Sequence, residues 1–353
     1  QKNLTAIIPD EVDDETASFT VLGAIAMQGV RLINPTIGEY IVVTGLGLVG
    51  LLAVQILKAN GCNVLGIDFD SDKCQIAKEF GAEVVDLSKG EDPVKSAATF
   101  SRGLGVDGVL IAASSKSNDV MQQAASMCRK RARIVLVGVV GLDLNRADFY
   151  EKELTFQVSC SYGPGRYDEK YEEHGMDYPH AFVRWTEQRN FMAVLDLMKS
   201  GSVNVQPLIS HRFSIHDAKE AYSKLDDLSV LGVVLDYSSS NDVEITKRTF
   251  QLNKKESLRA EKGNVSFIGG GNYASRVLIP SFKKAGANLI TLVTSGGISA
   301  VYNAKKNGFI NASTEIEKAL SEDTDTIVIA TQHHLHAQRT TQALSENKHV
   351  FVE

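Results

Sequence analysis

The chain has 353 residues, 43% of them hydrophobic, with a formal net charge of −6. That length exceeds what one hydrophobic core usually supports and predicts two domains, or three. Acids and bases are interspersed, which argues against nucleic acid and against a polybasic membrane surface and leaves a small-molecule substrate as the expected partner.

Residues 1–15 lack the charged-then-apolar order of a signal segment and begin without Met, which fits a chain that starts inside a longer protein. Residues 40–57 carry no charge and approach the roughly 20 apolar residues that span a bilayer. Their glycines and β-branched residues, followed by LLAVQIL at helical spacing, read instead as strand, tight turn and buried helix. From Glu39 the pattern runs strand, helix 48–60, strand 63–68, then helix 72–80 with Ser71 as its N-cap and Gly81 as its stop. It continues through helix 93–102, strand 106–113, helix 118–128 and strand 133–139. Such alternation calls for a parallel sheet with right-handed crossovers.

Residues 159–180 are rich in Tyr, Gly and charge and read as a long loop. Helix 190–199, strand 207–213, helix 216–225 and strand 232–237 follow. The polar stretch 238–262 is the expected linker. Beyond it alternation resumes with strand 264–268, helix 273–284, strand 288–294, helices 301–306 and 313–321, strand 325–331, helix 336–346 and strand 349–353.

Two glycine turns, GLGLVG at 45–50 and GGGNYA at 269–274, each follow an apolar strand. In the first, Gly45 suits the tight turn, Gly47 lets backbone approach a pyrophosphate, and Gly50 packs the helix on the strand. Leu48, Val49 and Gly50 open the helix, whose free N–H groups face the phosphates. Asp68 ends the next strand, where a carboxylate holds ribose hydroxyls and selects NAD; the competing reading makes it only a cap of the following turn. In the second turn Gly269, Gly271, Asn272, Tyr273 and Ala274 repeat the pattern. At the spacing of Asp68 stands Leu292, with Thr294 nearby, so NAD and NADP both stay open.

Cys62, Cys74, Cys128 and Cys160 form no C-x-x-C pair, which argues against a zinc knuckle or disulfide scaffold and fits a reducing cytoplasm. His333, His334 and His336 lack a carboxylate or cysteine framework, so no metal site is expected. His211 and His216 read as structural, and Trp185 as an anchor to the core, with the packing of a substrate cleft as its alternative.

IPDEVDDETAS, GLGLVGLLAVQILKANGCNVLGID, AKEFGAEVV and PLISHRFSIHDAKEAYSKL resemble the medium-chain alcohol and polyol dehydrogenases over residues 7–237. The resemblance places Phe69 and Lys73 near the adenosine end and Ala113 and Gly138 along the cofactor cleft, and it implies a homo-dimer through the first sheet near 153–160. That family's catalytic domain would precede residue 1, and VLGA at 21–24 offers no acidic zinc ligand, so the catalytic residues stay unknown. DTDTIVIATQHHLHA and KHVFVE resemble the glucose-fructose oxidoreductase and inositol dehydrogenase family over residues 264–353. This resemblance places Thr331, Gln332 and His336 near the ribose or nicotinamide and Glu353 at the position of the motif's acid; the alternative for His336 is that it caps or orients a helix.

The expectation is thus an α/β chain of two Rossmann-like, doubly wound parallel-sheet domains in tandem. Residues 1–237 form an NAD-binding dehydrogenase domain with remnants of its catalytic domain, 238–262 a linker, and 263–353 an incomplete second Rossmann domain. The function implied is hydride transfer to or from a polyol, sugar or sugar derivative; the alternative is a non-catalytic, redox-sensing scaffold.

Overall fold

A computed structural model describes residues 2–237, 247–253 and 263–353. The chain divides into two compact units, Gln1–Tyr237 and Ser238–Glu353.

In the first unit the strands are β1 (Tyr40–Thr44), β2 (Asn63–Asp68), β3 (Glu83–Asp86), β4 (Val106–Ile111), β5 (Cys128–Leu136) and β6 (Thr155–Val158). They form one sheet in the order β3-β2-β1-β4-β5-β6, every pairing parallel. This is the doubly wound order, whose chain reversal beside β1 opens a crevice at the carboxyl ends of the strands. Central strands read as unbroken apolar runs because helices cover both faces. Ile41 and Val43 accordingly face one core, with Leu52 and Leu110, while Val42 faces the other, with Ile67 and Val109.

A helix at Thr20–Ile33 precedes β1 and packs on the helices Leu48–Ala59 and Glu187–Lys199. No reading of the sequence singled it out. Residues 159–180 are more ordered than a plain loop. Tyr171 is fully buried, its ring stacked 5.2 Å from that of Tyr178, and Arg166 pairs with Glu172 at 2.6 Å. Strands β7 (Ile209–Ser214) and β8 (Gly232–Asp236) make a separate two-stranded parallel sheet.

The second unit contains β9 (Thr249–Gln251), β10 (Asn264–Ile268), β11 (Asn288–Val293), β12 (Asn311–Ser313), β13 (Thr326–Ile329) and β14 (His349–Val352), ordered β14-β13-β10-β11-β12-β9. All pairings are parallel except that of β9 with β12. Two expectations change here. Part of the stretch read as a linker is strand β9, because Thr249 and Phe250 suit a pleated edge and pair with Ser313 and Ala312; residues 238–246 and 254–262 lie outside the described residues. The helix expected over 313–321 is replaced by β12 and a single 3-10 turn, Ile316–Lys318. Ser313 is buried in the sheet, its hydroxyl 2.7 Å from that of Thr249. Phe267 meets Phe282 and Phe309 edge-on in the core.

Among the described residues no helix is long and apolar enough to cross a membrane.

Candidate cofactor sites

At the end of β1 the chain turns at Gly45, whose φ of +91° a side chain would strain and whose missing Cβ lets the backbone of Ala113 pass against it. Gly45 donates to the Ile67 carbonyl at 2.8 Å, fixing the turn to β2. A Cβ at Gly50 would overlap the Gly45 carbonyl, whereas the space beside Gly47 is open. Gly47 is the N-cap of helix Leu48–Ala59 and offers no side-chain acceptor, so the amides at Leu48, Val49 and Gly50 begin the helix uncapped by a side chain. An open glycine beside a bare helix start is what a pyrophosphate requires.

Asp68 lies at the end of β2. One carboxylate oxygen accepts from the Leu46 amide at 2.6 Å and the other from the Asp70 amide at 2.9 Å. Both readings of Asp68 therefore hold in part: it ties the next turn, and it also ties the glycine turn. A carboxylate has about four acceptor positions, so two remain for ribose hydroxyls. The cap of helix Ser71–Glu79 is Asp70, not Ser71; Asp70 accepts from the Asp72 and Lys73 amides, while the Ser71 hydroxyl donates to Asp86 at 2.6 Å.

Phe69 is 73% exposed. The Lys73 ammonium is held by Asp70 at 3.4 Å and by the Leu228 carbonyl. Ala113 and Gly138 stand just past β4 and β5, joined where Gly138 donates to Ile111 and Val139 to Ala113. They form the floor beside the turn.

In the second unit Gly269 has φ +109° and donates to the Val293 carbonyl at 2.8 Å, as Gly45 does to Ile67. A Cβ there would overlap the Ala330 carbonyl, while Gly271 faces open space. A cavity of about 980 Å³ opens beside this turn. Gly269, Gly271, Asn272, Tyr273 and Ala274 line one side, and Thr331, Gln332 and Glu353 another. Among the described residues the buried Thr331 hydroxyl has no hydrogen-bond partner, which makes it a ready donor or acceptor for a ligand. His336 does not line the cavity; its Nε2 lies 2.9 Å from the Thr331 carbonyl and so braces that loop.

Strand register corrects one spacing argument. Thr44 pairs with Ile67, just before Asp68; Ile268 pairs with Val293, just before Thr294. The counterpart of Asp68 is therefore Thr294 and not Leu292, because the second crossover is two residues longer. The Thr294 hydroxyl donates to the Gly296 carbonyl at 2.6 Å, and Ser295 and Ser299 join it in the cavity wall. Sequence reasoning missed Ser295, Ser299 and Arg339, all in that wall, and weighed His333, which also lines it, only as a metal ligand. Register alone could have revealed the first two.

Both turns fit a dinucleotide. Among the described residues no three His, Cys, Asp or Glu side chains are grouped to hold a metal ion.

Residues 49–174 match the family model described as zinc-binding dehydrogenase, and residues 263–353 that of the oxidoreductase family, NAD-binding Rossmann fold. Two separate segments of the chain thus match two different oxidoreductase family models. The chain is 29% identical over 209 residues to D-guloside 3-dehydrogenase of Escherichia coli K12, covering 57% of this chain and 55% of that protein. It is 35% identical over 139 residues to an alcohol dehydrogenase of Moraxella sp. TAE123, covering 39% and 40%. A solved 2R,3R-butanediol dehydrogenase from Bacillus subtilis superposes with a TM-score of 0.53 at 26% identity, covering 65% of this chain and 59% of that one. The chain spans about half the length of the curated relatives it matches.

Away from both turns, Glu187 opens helix Glu187–Lys199 with its side chain fully buried and neither carboxyl oxygen hydrogen-bonded. Burial, reinforced by the charge of Glu172, pushes its pKa up to about 7. The sequence marks it only as one acid in RWTEQRN.

Proposed function

We propose that the chain is an NAD-dependent oxidoreductase that moves a hydride to or from a hydroxyl-bearing carbon of a polyol, sugar or sugar derivative, with a second nicotinamide-binding module in its C-terminal unit. The observation that carries this reading is Asp68, placed by β2 beside a glycine turn with two acceptor positions unused. Bound nicotinamide would supply the hydride acceptor or donor. Gly45 to Gly47 and the helix start would hold the pyrophosphate, Asp68 the ribose hydroxyls, and Ala113 and Gly138 the floor of the cleft. Relatives named for a guloside and an alcohol support substrates with CH–OH groups. At the second site Thr294 removes the carboxylate that would repel a 2′-phosphate, so this module accommodates NAD or NADP.

Among the described residues β6 pairs with β5 alone, which supports a homo-dimer through the first sheet. A monomer by light scattering at micromolar concentration would contradict it. The reaction is tested by following reduced-nicotinamide absorbance while the full-length gene product meets a panel of polyols and sugars. Turnover with NAD is expected. Cofactor binding with no turnover across the panel would favour a redox-sensing scaffold instead.

A further inference from the structure

A second, smaller cavity of about 310 Å³ lies in the first unit, far from the glycine turn. Val30, Ile56 and Leu197 give it apolar walls, and Arg31, Asn60 and Trp185 its polar lining. Asn60 ends helix Leu48–Ala59 and donates to the Pro35 carbonyl ahead of β1. The cavity therefore sits at the amino-terminal edge of the sheet. The glycine turn is at the other end of that helix, about 18 Å away at 1.5 Å per residue.

Its charge is unbalanced. The guanidinium carbon of Arg31 lies 3.4 Å from the centre of the Trp185 ring, and that of Arg184 lies 3.8 Å from it. Arg31 donates through Nε to Asn190 at 2.7 Å. Among the described residues neither Arg31 nor Arg184 has a carboxylate within ion-pair distance. Glu39, on the same edge of the sheet, is taken by Arg133 at 2.7 Å. Burial, and then Arg184, lower the Arg31 pKa to about 10. A partly buried guanidinium normally has an anionic partner, and the planar Nη edge is shaped to grip a carboxylate through two hydrogen bonds.

We propose that this cavity binds a small organic carboxylate, its anionic end on Arg31 and its apolar body against Val30, Ile56 and Leu197. The volume suits a ligand of about ten non-hydrogen atoms and lies at the small end of ligand pockets. The site is separate from both cofactor sites and would act as an accessory one.

Trp185 is the single tryptophan of the chain, so its fluorescence reports on this site alone. The test titrates the full chain with benzoate, with the uncharged isostere benzamide, and with inorganic phosphate. A saturable change with benzoate is expected, with benzamide and phosphate about tenfold weaker or more. Arg31→Gln should weaken benzoate by about tenfold or more, whereas Arg31→Lys, which keeps charge but not the fork, should recover part of that loss. Arg184 is exposed, so Arg184→Gln probes the same charge without touching the core; a several-fold loss is expected. The proposal is overturned if benzoate leaves Trp185 unchanged, if benzamide or phosphate binds as well, or if Arg184→Gln and any folded Arg31→Gln bind benzoate like the parent chain.

Discussion

The two glycine turns share a backbone geometry but not the side chain that the next strand sets beside them. In both, the first glycine donates to a carbonyl at the end of the strand on one side, Ile67 or Val293, and a Cβ there would meet the backbone just past the strand on the other side, at Ala113 or Ala330. At the same register position the first unit has Asp68 and the second Thr294. Asp68 bonds back to its own glycine turn through the Leu46 amide, whereas Thr294 bonds forward to Gly296 and Ser299. Steric need alone thus dictates the phosphate-binding half of such a site. The ribose-binding half is set by a single side chain and is free to vary.

The sharpest way to break the shared half is Gly50→Val. A branched side chain has no space against the Gly45 carbonyl, so unit 1 should lose about 3 kcal/mol or more and NAD binding at its turn. A separate calorimetric transition for the second unit should survive; its loss would show the units are not independent.

Glu187 offers a stability difference confined to the first unit. Its folded pKa is raised, so its contribution is present below the unfolded carboxylate value and is lost as pH rises toward about 7. Urea unfolding should show unit 1 weakening by on the order of 2 kcal/mol between pH 4.5 and 7.5. Glu187→Gln should flatten that slope, and an unchanged slope would contradict the assignment.

Thr294→Asp addresses the variable half. A carboxylate at the register place of Asp68 should reduce NADP affinity at the second site by about tenfold while sparing NAD; an equal loss of both by calorimetry would mean Thr294 does not face the ribose. Thr331→Val should have the smallest effect. The hydroxyl has no protein partner, so stability should hold within about 0.5 kcal/mol, while cofactor affinity falls by about 1 kcal/mol.

Alternation of apolar runs with helical spacing made both sheets legible, and the glycine turns marked where each crevice opens. What escaped is what depends on distant partners. Helix Thr20–Ile33 buries Gly23, Ala24, Ala26, Met27, Gln28, Gly29 and Val30 in an almost unbroken run, and a helix covered nearly all round loses the polar stripe that announces it. Strand β9 is three residues long and exists because β12 offers an edge. The Leu292 assignment failed because spacing counts residues while hydrogen bonds count register. Trp185, expected as a core anchor, instead carries two arginine guanidinium groups over its ring, from residues 154 positions and one position away in sequence, and the longer of these pairings is one no local pattern encodes.

The central claim is that Asp68 makes the first turn an NAD site. Titration calorimetry of NAD against the parent chain and Asp68→Ser tests it most directly. NAD binding at the first turn should weaken by about 1.5–3 kcal/mol, roughly ten- to 150-fold, while binding at the second turn is unchanged. NAD affinity that stays the same in Asp68→Ser would contradict it.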